Sequence, residues 1–247
     1  MPSLEDIVIL VRGARNRVTT LSAELREWQD PLLFSQTLRH VMQETDRSGG
    51  LLEHNDPERR FWERRTRVHW AAPNHLRMES TSIPTAGHPD TTDVSNGIWR
   101  WQYVAGQAEA LRSPVHRGRT ETELDRLLNP AWLAAVFDLT LLGSTEHDGR
   151  HAWRVHGRVR EGQRSLEARV GTYGINAIVD GERGILLSLT YLADTSQPFQ
   201  RHELVNLILD QLIDRSVFEF TPPSGVPISD IEQSETPPEA SEAGPLV

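Results

Sequence analysis

Three histidines, His147, His151 and His156, crowd one Asp148-Gly149 turn. Clustered imidazoles are a common way to hold zinc or copper. Here His151 and His156 are five apart on one predicted strand, which sends them to opposite faces. Three ligands do not converge, so the reading is surface histidines and no metal site. Glu121 and Glu123 form the kind of carboxylate pair that can share acid and base work. Both fall where a helix is predicted to start, and the helix dipole accounts for them. The chain contains no nucleophile elbow, P-loop, dinucleotide fingerprint or HExxH motif. It has no Cys, which excludes thiolate nucleophiles, Cys-ligated zinc and disulfides. It has no Lys either, since all 26 basic side chains are Arg, so Schiff-base and Walker-type lysines are excluded. No catalytic residue is nominated, no cofactor is implied, and an enzyme is not expected.

Recognition by aromatic side chains is better represented. In the stretch VSNGIWRWQY, Val94 to Tyr103, the rings of Trp99, Trp101 and Tyr103 recur at every second position. On a strand that places all three on one face, with Ile98, Arg100, Gln102 and Val104 on the other. Such a stripe fills a core, lines an apolar pocket or stacks on bases. Base stacking needs a cationic surround, and the formal net charge is −9. Neither nucleic acid nor an anionic membrane is therefore an expected partner. The candidate wall of an apolar cavity is Trp70, Leu76, Met78, Trp99, Trp101, Tyr103 and Trp153. A basic cluster, Arg59, Arg60, Arg64, Arg65 and Arg67, stands beside Glu58 and Glu63. It reads as a charged strand edge that blocks aggregation, with an acidic partner or phosphate as the sharper alternative.

The elements that must position these residues are mostly strands. Ser3 and Asp6 suggest a capping box for a helix to about Arg15, with Leu4, Ile7, Val8 and Val11 on one face. Val18–Trp28 alternates as a strand. Asp30 and Pro31 start a second helix, near residues 31–45. Residues 47–60 read as a loop. Arg64–Trp70 and His75–Ser80 are strands around a Pro73-Asn74 turn, and Ile83–Asp93 is a loop. Val94–Val104 reads as one strand, with Asn96-Gly97 as a turn signal near its start. Thr120 and Glu123 suggest a capping box before Leu124, Leu127 and Leu128. Pro130 begins a further helical segment. Leu139–Glu146 and His151–Arg160 form a hairpin across Asp148-Gly149. Ser165–Tyr173, Ile175–Asp180, Ile185–Ala193 and Gln200–Leu209 are further strands. The fold class is α+β and mainly β: one antiparallel sheet interrupted by helices, without βαβ alternation. At 247 residues a single domain over residues 1–226 can bury a full core. Residues 227–247 carry five acids, no base and several Pro and Ser, which predicts a disordered tail.

Two blocks of sequence then carry a family resemblance. The first is Pro73-Asn74-His75-Leu76-Arg77-Met78-Glu79 followed by Ser95-Asn96-Gly97-Ile98-Trp99-Arg100-Trp101-Gln102-Tyr103. The second is Val179-Asp180-Gly181-Glu182-Arg183-Gly184-Ile185-Leu186-Leu187, closed by Phe218-Glu219-Phe220-Thr221-Pro222-Pro223-Ser224-Gly225. Their order resembles the LolA/LolB superfamily of lipoprotein carriers, including the RseB N-terminal domain, from the first helix to about Gly225. The resemblance implies a curved, incomplete antiparallel barrel closed by helices, with an apolar cavity between sheet and lid. It further implies a lipid or acyl chain as guest, or a protein partner in an RseB-like regulatory role. The chain departs from the carriers at two places. The helix near 31–45 is extra. The start is acidic, with Glu5 and Asp6, and its apolar run Ile7–Val11 is too short for a secretory signal. It resembles a signal-less actinobacterial-type member, expected in the cytoplasm with no membrane span.

Overall fold

The computed structural model describes residues 2–44, 62–82, 89–115, 122–160 and 172–231. Helix α1 (Leu4–Arg12) starts at a reciprocal capping box. The Ser3 hydroxyl accepts from the Asp6 amide at 3.2 Å, and the Asp6 carboxylate accepts from the Ser3 amide at 2.8 Å. Ile7 and Val11 on its inner face are buried. Strand β1 (Thr20–Gln29) and helix α2 (Pro31–Glu44) follow, then β2 (Trp62–Ala71), β3 (His75–Ser82), β4 (Thr91–Asn96), β5 (Trp99–Val104) and β6 (Ala110–Pro114). Helix α3 (Glu123–Leu128) is capped by Thr122 with Asp125. Thr120, expected in that role, lies outside the described residues. A 3-10 turn at Pro130–Trp132 leads into α4 (Leu133–Val136). Strands β7 (Phe137–His147), β8 (Arg150–Val159), β9 (Gly174–Asp180), β10 (Leu186–Leu192), β11 (Pro198–Leu209) and β12 (Ile228–Asp230) complete the described chain.

All twelve described strands join one open sheet, in the order β12-β6-β5-β4-β3-β2-β1-β11-β10-β9-β8-β7. Neighbouring strands are antiparallel except at one edge, where β12 runs parallel to β6. The first and last strands in that order do not pair, so the curved sheet stays an unclosed barrel. Bulges between Ser22 and Glu24 and between Leu141 and Gly143 shift the register and add bend.

One face of this sheet carries the core. The register links Leu76 to Trp70 to Leu21, and Val155 to Ala177 to Leu189. Side chains from α1, α3 and α4 close over that face: Ile7, Val11, Leu124, Leu127, Leu128, Leu133 and Val136 are all buried in the same cluster. Each fully buried Leu or Ile contributes roughly 1.5–3 kcal/mol through water removed from its surface. The sequence-predicted class, α+β and mainly β with a helix-closed antiparallel sheet, is the one observed. Among the described residues no helix is long and apolar enough to cross a membrane.

Four expectations need correction. Val94–Val104 is not one strand. Asn96-Gly97 is a hairpin turn, with Gly97 at φ 88° and the Asn96 side chain accepting from the amides of Ile98 and Trp99, so β4 and β5 face each other. Part of the expected loop Ile83–Asp93 is β4. Strand β6 had no counterpart in the sequence reading, because Ala110–Pro114 is too short and too mixed to show a period. The expected disordered tail starts too early: Ile228–Asp230 pair with β6, and only residues 232–247 lie outside the described residues. The expected loop over 47–60 also lies outside them. So does most of the expected strand Ser165–Tyr173, whose described end, Thr172 and Tyr173, is not strand.

The β9–β10 turn touches α1 closely enough to be tested. Gly184 has φ 77°, and a Cβ there would lie 2.5 Å from the Leu10 carbonyl oxygen. Gly184→Ala is expected to lower the unfolding free energy by about 2–3 kcal/mol in urea denaturation. Gly149→Ala, at φ 75° but with open space around it, should cost about 1 kcal/mol.

Candidate functional site

The register decides where the seven candidate cavity residues stand. Leu76 is opposite Ser95, and Ser95 is opposite Arg100. Arg77 is opposite Val94, and Val94 is opposite Trp101. Leu76 and Trp101 therefore point to opposite faces. Trp70 and Leu76 are buried on the helical side, at 2% and 0% exposure, and Met78 and Trp153 pack against the same cluster half-buried. Trp99, Trp101 and Tyr103 share one face, as alternation predicts, but it is the outer face. The seven residues do not form one wall. On the helical side, β4 and β5 instead present an ion pair. Arg100 donates through Nε to Asp93 Oδ1 at 2.8 Å and through its second nitrogen to Oδ2. That hydrogen bonding raises the Arg100 pKa above its ordinary value.

The outer aromatic stripe is not bare. After β11 the chain returns across the outer face. A 3-10 turn, Arg215–Phe218, packs on β3 and β4. Phe218 is buried and meets the His75 ring edge-on at 5.3 Å. Phe220 stacks on Trp101 with centroids 6.2 Å apart. Arg77 donates to the carbonyls of Val217 at 3.1 Å and Glu219 at 3.2 Å, which satisfies backbone that no strand pairs. Further out, the Arg112 guanidinium lies 4.7 Å from the Trp99 ring centre, a cation–π contact.

A charged group inside the core went unnoticed in the sequence, because its members are scattered along the chain. Glu27 on β1 is 5% exposed, and His202 on β11 is fully buried. Arg64 on β2 donates to Glu27 Oε2 at 2.5 Å, and His202 Nδ1 lies 3.4 Å from Glu27 Oε1. His202 Nε2 lies 3.7 Å from Oε2 of Glu123, the first residue of α3. Paired strand positions bring Glu27, Arg64 and His202 together. A general base must reach a substrate proton, and a His with no exposed surface reaches none. The group instead ties three strands to the N-terminus of α3, where a carboxylate is favoured. The only signal in the sequence was polar residues at inward positions of otherwise apolar strands. Burial pushes the Glu27 carboxyl up, but hydrogen bonds from His202 and Arg64 outweigh it and bring the pKa down to about 2.

The same strand ends border a cleft of about 480 Å³. Arg26, Arg64, Arg65 and Arg201 line it together with Trp28 and three glutamates, so its wall is charged. The expected edge role of the basic cluster is corrected here. β2 lies inside the sheet, between β1 and β3, and has no open edge to guard. Arg64 neutralises Glu27, and Arg67 lies 3.8 Å from Glu79. Arg59 and Arg60 lie outside the described residues. The three turn histidines separate: His147 faces Glu203 at 3.7 Å, His151 packs on Trp153, and His156 meets Asn176 at 3.0 Å. Among the described residues no three His, Asp or Glu side chains are grouped to hold a metal.

This architecture defines a class by its shape: an open, curved antiparallel sheet with helices over one face. It is similar to an uncharacterised conserved protein of Thermus thermophilus, at 13% identity and TM-score 0.49, covering 93% of this chain and 100% of the other. It is similar to a chain of the Pseudomonas aeruginosa MucA/MucB complex, at 13% identity and TM-score 0.46. That match covers 87% of this chain and 60% of the other. It is also similar to a LolA superfamily protein of Nitrosomonas europaea, at 8% identity and TM-score 0.32, covering 89% of this chain and 99% of the other. These likenesses concern the fold alone. No family profile matches the sequence, and no curated protein matches it.

The buried carboxylate makes stability pH-dependent in a stated direction. A folded pKa below the unfolded value contributes stability that is full above the unfolded pKa and lost as pH falls through the folded one. For a carboxyl brought from its ordinary 4.5 down to about 2, the contribution is on the order of 3 kcal/mol. Acid titration of the urea midpoint should show this loss between about pH 4.5 and 2, and Glu27→Gln should flatten it.

Proposed function

We propose that this protein is a non-catalytic binding module that works through the surface of its sheet. One observation carries the reading. The core residues on the helical face, among them Leu21, Leu76, Leu124, Leu189, Tyr191 and Phe199, have no surface open to water, even from within. A cavity holding an acyl chain would leave such surface on its walls. The apolar area here is already spent on the chain's own helices. What remains accessible are the uncovered parts of the outer face and the charged cleft, with the β6 edge under the three-residue strand β12. Those surfaces suit a protein partner better than a buried lipid, in line with the regulatory alternative that the family resemblance implied.

A second reading has one observation of its own. Under α2, Phe34 lies 6.1 Å from Phe199, and Phe199 lies 6.3 Å from Tyr191. Leu33 and Phe34 attach α2 to the core, while Leu32 is 58% exposed. In this reading α2 lifts as a lid and an acyl chain takes its place. The inward candidates Trp70, Leu76, Met78 and Trp153 lie on the same face of the sheet.

The two readings part in one experiment. Gently purified protein is expected to be unladen by native mass spectrometry and lipid extraction, and to give no saturable signal with a fluorescent fatty acid. A stoichiometric acyl lipid would overturn the filled-core reading and favour the lid.

A further inference from the structure

We propose that the β6 edge is a strand-acceptor site, and that an extended acidic segment of a protein partner takes the place now held by residues 227–231. The inference rests on the reading of the chain as a binding module. The resident segment shows the mode of recognition. β12 pairs parallel with β6, in the register Ile228 to Ala110, Ser229 to Leu111 and Asp230 to Arg112. The Ala110 amide donates to the Pro227 carbonyl at 2.9 Å, and the Ile231 amide donates to the Arg112 carbonyl at 2.8 Å. Arg112 grips the Asp230 carboxylate with two parallel bonds, 2.6 Å from Nε and 2.8 Å from the terminal nitrogen. Trp99 holds the other face of that guanidinium. The arrangement reads a carboxylate on an extended backbone, which is strand addition with a charged side chain as its selector.

The same contacts show that the cap is weakly held. The segment is three strand residues long, and short parallel pairing is the weaker kind. Ile228 and Ile231 remain 40% and 44% exposed, so neither is fully buried. Pro227 has a carbonyl but no N–H, so the ladder cannot grow towards the anchored part of the strap. That anchored part, Arg215 to Phe220, is held by Arg77, His75 and Trp101 as described above. Between the two lies Thr221-Pro222-Pro223-Ser224-Gly225-Val226, with Gly225 at φ 82° and open space around it. The outer piece can therefore peel away while the inner piece keeps the aromatic stripe covered. The partner's signature is an apolar residue, a small polar one, an acid and a second apolar one, running parallel to β6.

The probe is a fluorescein-labelled peptide of this chain's own residues 226–232, added to the full-length protein and followed by anisotropy. Asp230→Arg puts like charge against Arg112 and loosens the cap. It is expected to bind the peptide at least ten times more tightly than wild type does. A peptide with Asn in place of its Asp should lose most of that affinity. Circular dichroism checks that the variant is folded, and the milder Asp230→Asn carries the same test if it is not. Equal affinities for wild type and variant, or for the two peptides, would overturn the proposal. A strand-exchanged dimer of the wild type in light scattering would also overturn it, in favour of a second copy as occupant. An acyl lipid found by mass spectrometry would refute the filled core and leave these peptide affinities unchanged.

Discussion

Along a strand each residue has one choice of face, and along a sheet each hydrogen-bonded register fixes the phase of the next strand. In this protein that constraint runs across twelve strands. From Leu76 through Trp70 and Leu21, then on through Leu204, Leu189, Ala177 and Val155, one parity carries the apolar side chains. The helices α1, α3 and α4 dock there because nothing else offers them enough surface. A slip of one residue in any pair would turn half the core outward. The bulges put their extra residues in β11 and β7, and the apolar face stays continuous through them.

The same rule explains two features with no counterpart in the sequence reading. Glu27, Arg64 and His202 belong to the inward parity, so Glu27 and His202 are buried with the leucines while Arg64 reaches the charged cleft. Burial of a charge is costly unless it is paired and hydrogen-bonded, and each of them has a partner from another strand or from α3. Trp99 and Trp101 belong to the outward parity, which leaves large apolar area on the solvent side. The chain covers it with its own return segment, and Arg77 satisfies the backbone of that segment.

An open sheet closed by helices holds a guest only if side chains stop short of filling the space between. In this chain Tyr191, Phe199, Leu124, Leu127 and Leu128 are buried between the sheet and its helices. At the periphery, α2 is attached through Leu33 and Phe34, and β12 pairs with β6 over three residues.

Much of the architecture was legible in the residue order. The capping box at Ser3 and Asp6, the Asp148-Gly149 hairpin, the alternation of β1, β8 and β11 and the shared face of Trp99, Trp101 and Tyr103 depend on neighbours in sequence. Local geometry sets them, and a single sequence contains it. The relative phase of two strands is a different quantity. It depends on how many residues a turn consumes, and Asn96-Gly97 sat inside what read as one strand. With that turn misplaced, nothing in the sequence could tell that Trp101 and Leu76 look away from each other. The meeting of Glu27, Arg64, Glu123 and His202, and the pairing of Asp230 with Arg112, join residues tens to more than a hundred positions apart. Only the tertiary structure decided them, because such contacts are selected by the packing of the whole sheet and leave no period in the chain.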